Sequence, residues 1–237
     1  MRHRILLSAS VAALAAAAWL AMWNAGHSAH ATMHHHDHGA AGQAAAPFGA
    51  FALFVASWTI MTIAMMLPTV LPLLTTFSAV ARDRADRGLL LVLVVAGYLA
   101  TWIAFGGLVY LGQLATRGLA LGGAAILLLA GIYQFTPLKH RCLDKCRSPL
   151  SFVIEHWQGR AERRQALRLG IDHGLFCVGC CWALMLLMFV AGMANLAWML
   201  ALAIVMAIEK NTRAGRRLST PVGVVLVAWG VARLLSF

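Results

Sequence analysis

Charge is scarce in this chain. Lys, Arg, Asp and Glu make up 11% of its 237 residues while 61% are hydrophobic. A soluble domain carries roughly 25% charge, so water is excluded as the main solvent. Acidic residues are the scarcer of the two charge signs, eight in all against 19 Lys and Arg, for a formal charge of +11. Such a balance raises nucleic acid as a partner. The basic residues nevertheless stand in short clusters between long apolar runs, not on one amphipathic face, and this excludes a nucleic-acid surface. Lys and Arg are absent from Asn24 to Pro47, and no cysteine precedes Cys142. Internal repeats and a separate soluble domain are also lacking.

What is present is a series of apolar runs. Crossing the hydrocarbon layer takes about 20 apolar residues per helix, and seven runs approach that length: Ile5 to Trp23, Ala50 to Leu74, Gly88 to Leu111, Leu119 to Phe135, Gly174 to Met193, Asn195 to Ile208 and Ser219 to Leu235. Their continuous apolarity, without alternation, predicts helices and excludes a β-barrel. The expected fold class is all-α, a polytopic transmembrane bundle of about seven helices. It becomes six if the first segment, with Arg2, Arg4 and Ala29-His30-Ala31, is a cleaved secretory signal.

Residues 1–23 are thus read as an N-terminal transmembrane helix or signal peptide and 24–49 as an outer His-rich loop. Residues 50–237 form a helical membrane domain with a cytoplasmic loop at 138–172, in which Glu155 to Leu169 has helical composition. Cytoplasmic loops carry the excess of Lys and Arg. An inside N-terminus puts 17 of the 19 basic residues on that side, leaving only Arg117 and Arg233 outside. The expected location is a bacterial inner membrane with the bilayer as the principal partner.

The five cysteines are Cys142, Cys146, Cys177, Cys180 and Cys181. All fall within the bilayer or on the reducing side, where metal ligation or redox chemistry outranks structural disulfides. Cys142 and Cys146 are four apart, and Cys177, Cys180 and Cys181 are spaced i, i+3, i+4. Each set occupies one helical face, and the two sets meet if the intervening loop folds back. Thiolates are soft ligands for Cu(I) or Zn. Cys177 on its own is explained as a small buried hydrophobe. Nothing apolar explains two thiols in Lys139-His140-Arg141-Cys142-Leu143-Asp144-Lys145-Cys146-Arg147, where basic neighbours are expected to lower the thiol pKa.

Met65 and Met66, with Met61 one turn before Met65, supply thioethers at the same level. Pro68 and Pro72 just beyond are expected to kink the helix and free backbone to line a site. Glu209 adds a carboxylate near the inner end of the sixth helix, next to Lys210, and Gln134 is a polar neighbour in that layer. On the opposite side, His34, His35, His36 and His38 surround Asp37, a tract suited to gathering metal ions with modest selectivity.

These residues resemble a bacterial family of predicted metal-binding integral membrane proteins of unknown function. The likeness runs from Phe48 to Lys210 through Trp58-Thr59-Ile60-Met61, Ala64-Met65-Met66-Leu67-Pro68, Tyr133-Gln134, Cys142-Leu143-Asp144-Lys145-Cys146-Arg147-Ser148-Pro149, Gly179-Cys180-Cys181-Trp182 and Glu209-Lys210. It implies a helical membrane protein that binds metal, without assigning an activity. The leading expectation is an integral membrane protein handling copper, with zinc as the second candidate. Cys142, Cys146, Cys180, Cys181, Met65, Met66 and Glu209 would bind the ion near the cytoplasmic face, for gathering, transport or delivery to another membrane or periplasmic metalloprotein. The alternatives are a membrane thiol-disulfide redox protein and an accessory subunit of a larger membrane complex.

Overall fold

The computed structural model describes residues 2–33, 47–115, 123–191, 195–212 and 215–236. The fold is all-α, and no strand occurs among the described residues. Its elements are α1 (Arg2–Met33), α2 (Pro47–Met65), a 3-10 turn (Leu67–Val70), α3 (Leu71–Val80), α4 (Arg87–Ala115), α5 (Gly123–Tyr133) and α6 (Pro137–Arg147). They continue with α7 (Pro149–His156), α8 (Glu162–Leu186), α9 (Met188–Ala191), α10 (Leu196–Asn211) and α11 (Gly215–Leu235). Among the described residues five stretches are long and apolar enough to cross a membrane, within α1, α2, α4, α8 continuing into α9, and α11. The expected apolar runs in α5 and α10 form shorter helices of 11 and 16 residues. Leu53, Val92, Leu108, Ile132 and Val225 are exposed on the outer faces of these helices, as side chains facing lipid would be. The chain is a multi-pass membrane protein.

The tightest crossing joins α4 to α8, where small residues let two backbones meet. A Cβ at Gly170 would lie 2.1 Å from the Val94 carbonyl oxygen, and one at Gly97 would lie 2.3 Å from that of Leu167. The second apolar run does not continue straight. Pro68 and Pro72 cannot donate backbone hydrogen bonds, so α2 stops at Met65 and the 3-10 turn intervenes before α3. The Met66 carbonyl instead accepts from the Thr69 backbone N–H at 3.1 Å and its hydroxyl at 2.8 Å. The expected kink is a full break, and the helix resumes as far as Val80.

Segment 138–172, expected to be helical over Glu155 to Leu169, is helical over more of its length and is broken at 157–161. Most of it is helical, and α8 begins at Glu162, twelve residues before the expected start of the fifth span. The physical reason is that Glu162 to Leu169 consists largely of good helix formers and leads without a breaker into Gly170, which packs on α4. Upstream, the Thr136 hydroxyl caps α6 by accepting from the Lys139 N–H, with Pro137 in the first turn. This is a favourable helix start.

Ion pairs gather the polar segments at one end of the bundle. Arg84 meets Glu162 at 2.6 Å, Arg163 meets Asp86 at 3.7 Å, Lys145 meets Glu155 at 2.8 Å and Arg216 meets Asp144 at 3.3 Å. The described residues of segments 82–87, 138–172 and 210–217 therefore share one end, as the distribution of Lys and Arg requires.

Candidate metal centre

Helix α8 supplies the centre of the site. The i, i+3, i+4 spacing places the sulfurs of Cys177, Cys180 and Cys181 on one face, all within 4.8 Å of one another and all buried. Because α8 starts at Glu162, these cysteines sit roughly 22–28 Å along its axis, well inside the helix and not near its start, as an apolar run beginning at Gly174 would place them. Cys177, which burial alone seemed to explain, is a full member of the cluster.

Two other elements bring sulfur to this face. The break after α2 turns Met66 inward, with its Sδ 3.9 Å from Cys181 Sγ. On α6, Lys139, Cys142, Leu143 and Cys146 form an i, i+3, i+4, i+7 stripe against α8. Cys146 Sγ lies 3.9 Å from Cys180 Sγ. Cys142 packs on Gly179, where a Cβ would lie 2.6 Å from its sulfur. The two cysteine sets do meet, because the segment between them folds back along α8.

The basic neighbours of α6 do not activate its thiols as expected. Burial raises the Cys142 pKa, and contacts with the Cys177 and Cys180 thiols, followed by burial, raise that of Cys146. The cations are committed elsewhere: Lys139 to Glu209, Lys145 to Glu155, and Arg147 to the Thr212 carbonyl at 2.7 Å.

Lys210, named in the sequence only as the neighbour of Glu209, is buried at the cluster itself. Its Nζ is 3.0 Å from Cys177 Sγ, 3.4 Å from Met66 Sδ and 3.4 Å from Thr69 Oγ1. Tyr98 from α4 places its hydroxyl 3.1 Å from Cys177 Sγ. No sequence spacing links Lys210 or Tyr98 to the thiols, since both arrive through tertiary packing of separate helices.

Glu209 is engaged differently. Lys139 Nζ donates to both of its carboxylate oxygens, at 2.7 and 2.9 Å, and also to Gln134 Oε1. The Ser219 hydroxyl donates to Glu209 Oε1 at 2.8 Å. Met65 lines a shallow cleft with Pro68, Ala203 and Ala207. His34, His35, His36 and His38 lie outside the described residues.

A family model for a copper chaperone, PpoB2, matches residues 55–233. The chain belongs to the PpoB2 copper-chaperone family. That match contains every cysteine, Met66 and Lys210, together with helices α4 to α10. Comparison with curated proteins and with solved structures gave no match. The donor set fits the family's description: Cys177, Cys180, Cys181 and Met66 offer soft sulfur ligands in a buried space, and such a cluster can hold a metal ion.

Proposed function

We propose that this protein binds copper as Cu(I) at the cluster of Cys177, Cys180, Cys181 and Met66, with Cys146 and Cys142 beside it, and delivers the ion to another membrane or periplasmic metalloprotein. The observation that carries the reading is the approach of Met66 Sδ to within 3.9 Å of a three-thiol cluster. A thioether suits Cu(I), whereas structural zinc sites draw on Cys, His and carboxylate. The family's description as a copper chaperone supports the same ion. Lys210 places a positive charge against the thiols and offsets part of the negative charge that thiolate ligation would concentrate in the bilayer.

The N-terminus is assigned to the cytoplasm of a bacterial cell and the protein to its inner membrane, on the strength of the basic segments gathered at one end. The cluster then lies toward the cytoplasmic half. The tract of His34, His35, His36 and His38 lies on the outer side, where it gathers metal ions.

The test is anaerobic titration of the purified full chain with Cu(I) against a competing chelator, alongside zinc. The wild type should hold a single Cu(I). Cys180→Ser and Cys181→Ser should each weaken binding by on the order of tenfold or more, since even outer-shell partners of metal ligands contribute that much. Met66→Leu should weaken Cu(I) without affecting zinc. Zinc binding as tightly as Cu(I), together with an unchanged Cu(I) affinity in Met66→Leu, would overturn the assignment.

A further inference from the structure

A cavity of about 810 Å³ opens at the polar end of the bundle, between α6, the start of α7 and the start of α11. Its walls include His140, Asp144, Arg147, Arg216, Arg217 and Thr220. Three guanidinium groups thus face one carboxylate. Asp144 is already paired with Arg216 at 3.3 Å, and no ion pair among the described residues engages Arg217. His140 also lines the recess, and its buried Nδ1 has no hydrogen-bond partner among the described residues.

Helix polarity deepens the imbalance. An α-helix carries partial positive charge at its N-terminus and favours acidic residues in the first turn. In α11 that turn has no acidic residue and holds Arg216 and Arg217 instead. The adjoining α7 also lacks an acidic first turn, and its N-cap Ser148 makes no side-chain capping bond. Two helix starts and the guanidinium groups therefore add positive potential in one concave space. An anion there would accept from guanidinium groups and helix N–H groups together.

We propose that this cavity binds a phosphate group, supplied by the headgroup of an anionic phospholipid. The lipid source is favoured by its surroundings. Leu138 and Leu150, next to the cavity on α6 and α7, are each 58% exposed, and Val224 and Val225 on α11 are also exposed. A polar recess edged by exposed apolar side chains suits a headgroup whose acyl chains remain in the bilayer. Free phosphate shares the headgroup chemistry, so the experiment separates the two sources.

The delipidated full chain in neutral detergent is mixed with phosphatidylglycerol, phosphatidylcholine or inorganic phosphate, and retained lipid is read by native mass spectrometry alongside the melting temperature. Phosphatidylglycerol should be retained in preference to phosphatidylcholine and should raise the melting temperature. Arg217→Gln should lower its retention by about tenfold, the worth of a hydrogen bond to a charged group. Asp144→Asn, which removes the competing carboxylate, should increase it. Displacement of phosphatidylglycerol by inorganic phosphate would support the anion site while assigning it a soluble source. Equal retention of both lipids, or retention unchanged in both Arg217→Gln and Asp144→Asn, would overturn the proposal. Cu(I) stoichiometry serves as the folding control. Because no hydrogen bond or ion pair among the described residues joins Arg217 or Asp144 to the sulfur cluster, loss of the anion site and failure of the copper reading register separately.

Discussion

Glu209 offers the sharpest test of how the interior is held together, because its two roles predict opposite outcomes. As a metal ligand, its loss would weaken metal binding and leave stability nearly unchanged. In the structure it is instead the counterion of Lys139, and the side chains of the pair are only 2% and 1% exposed. Glu209→Gln keeps the shape and removes the charge. Lys139 Nζ then retains only neutral acceptors, the new amide oxygen and Gln134 Oε1. Leaving one member of a buried ion pair uncompensated costs about 3–5 kcal/mol, whereas replacing both by apolar residues of similar volume is often neutral or stabilising. The double variant Lys139→Met with Glu209→Met should therefore recover most of the loss, and this non-additivity marks a direct interaction. The assay is reversible unfolding of the detergent-solubilised chain followed by tryptophan fluorescence, with Cu(I) stoichiometry measured where each variant is folded. Glu209→Gln that unfolds with the wild type but no longer holds Cu(I) would refute the ion-pair account and return Glu209 to the ligand set.

Three further outcomes follow from particular contacts. Gly179→Ala should be destabilising by about 1–3 kcal/mol from overpacking, because its Cβ would meet Cys142 Sγ at 2.6 Å. Adding Cys142→Ala should restore part of that stability, as measured by the same unfolding assay, and two additive losses would count against the contact. Gly170→Val should prevent α4 and α8 from closing, since even a Cβ would lie 2.1 Å from a backbone oxygen. The expected result is loss of folded protein in size-exclusion chromatography, and a monodisperse wild-type-like peak would contradict it. Maleimide labelling of Cys142 in the metal-free protein should be slow at pH 7 and should keep rising beyond the pH at which an ordinary exposed thiol reaches its plateau. Burial holds its pKa up, so the reactive thiolate forms only at higher pH. An early plateau would indicate thiol activation by the basic neighbours.

Much of the architecture was legible because it depends on properties local to the chain. Apolar runs report span length directly, so the positions of the main helices followed from composition, and the basic clusters correctly grouped segments that meet at one end. The i, i+3, i+4 spacing of Cys177, Cys180 and Cys181 likewise predicts a shared face without knowledge of the fold. What sequence could not give is the partner across a helix interface. In the sequence Lys210 stands only as the neighbour of Glu209 near a helix end, yet its ammonium group reaches the thiols of α8. Glu209, the adjacent residue, points to Lys139 on α6. The two neighbours on one helix therefore serve different elements, and α10 joins the sulfur cluster to the ion pair through side chains about 100° apart around its axis. The same limit applied to Cys177: alone it is a small hydrophobe, and only Lys210, Tyr98 and the neighbouring thiols around it give its sulfur a chemical role. A motif of spaced cysteines thus located the site, while the charge that accompanies those cysteines became visible only when separate helices were packed together.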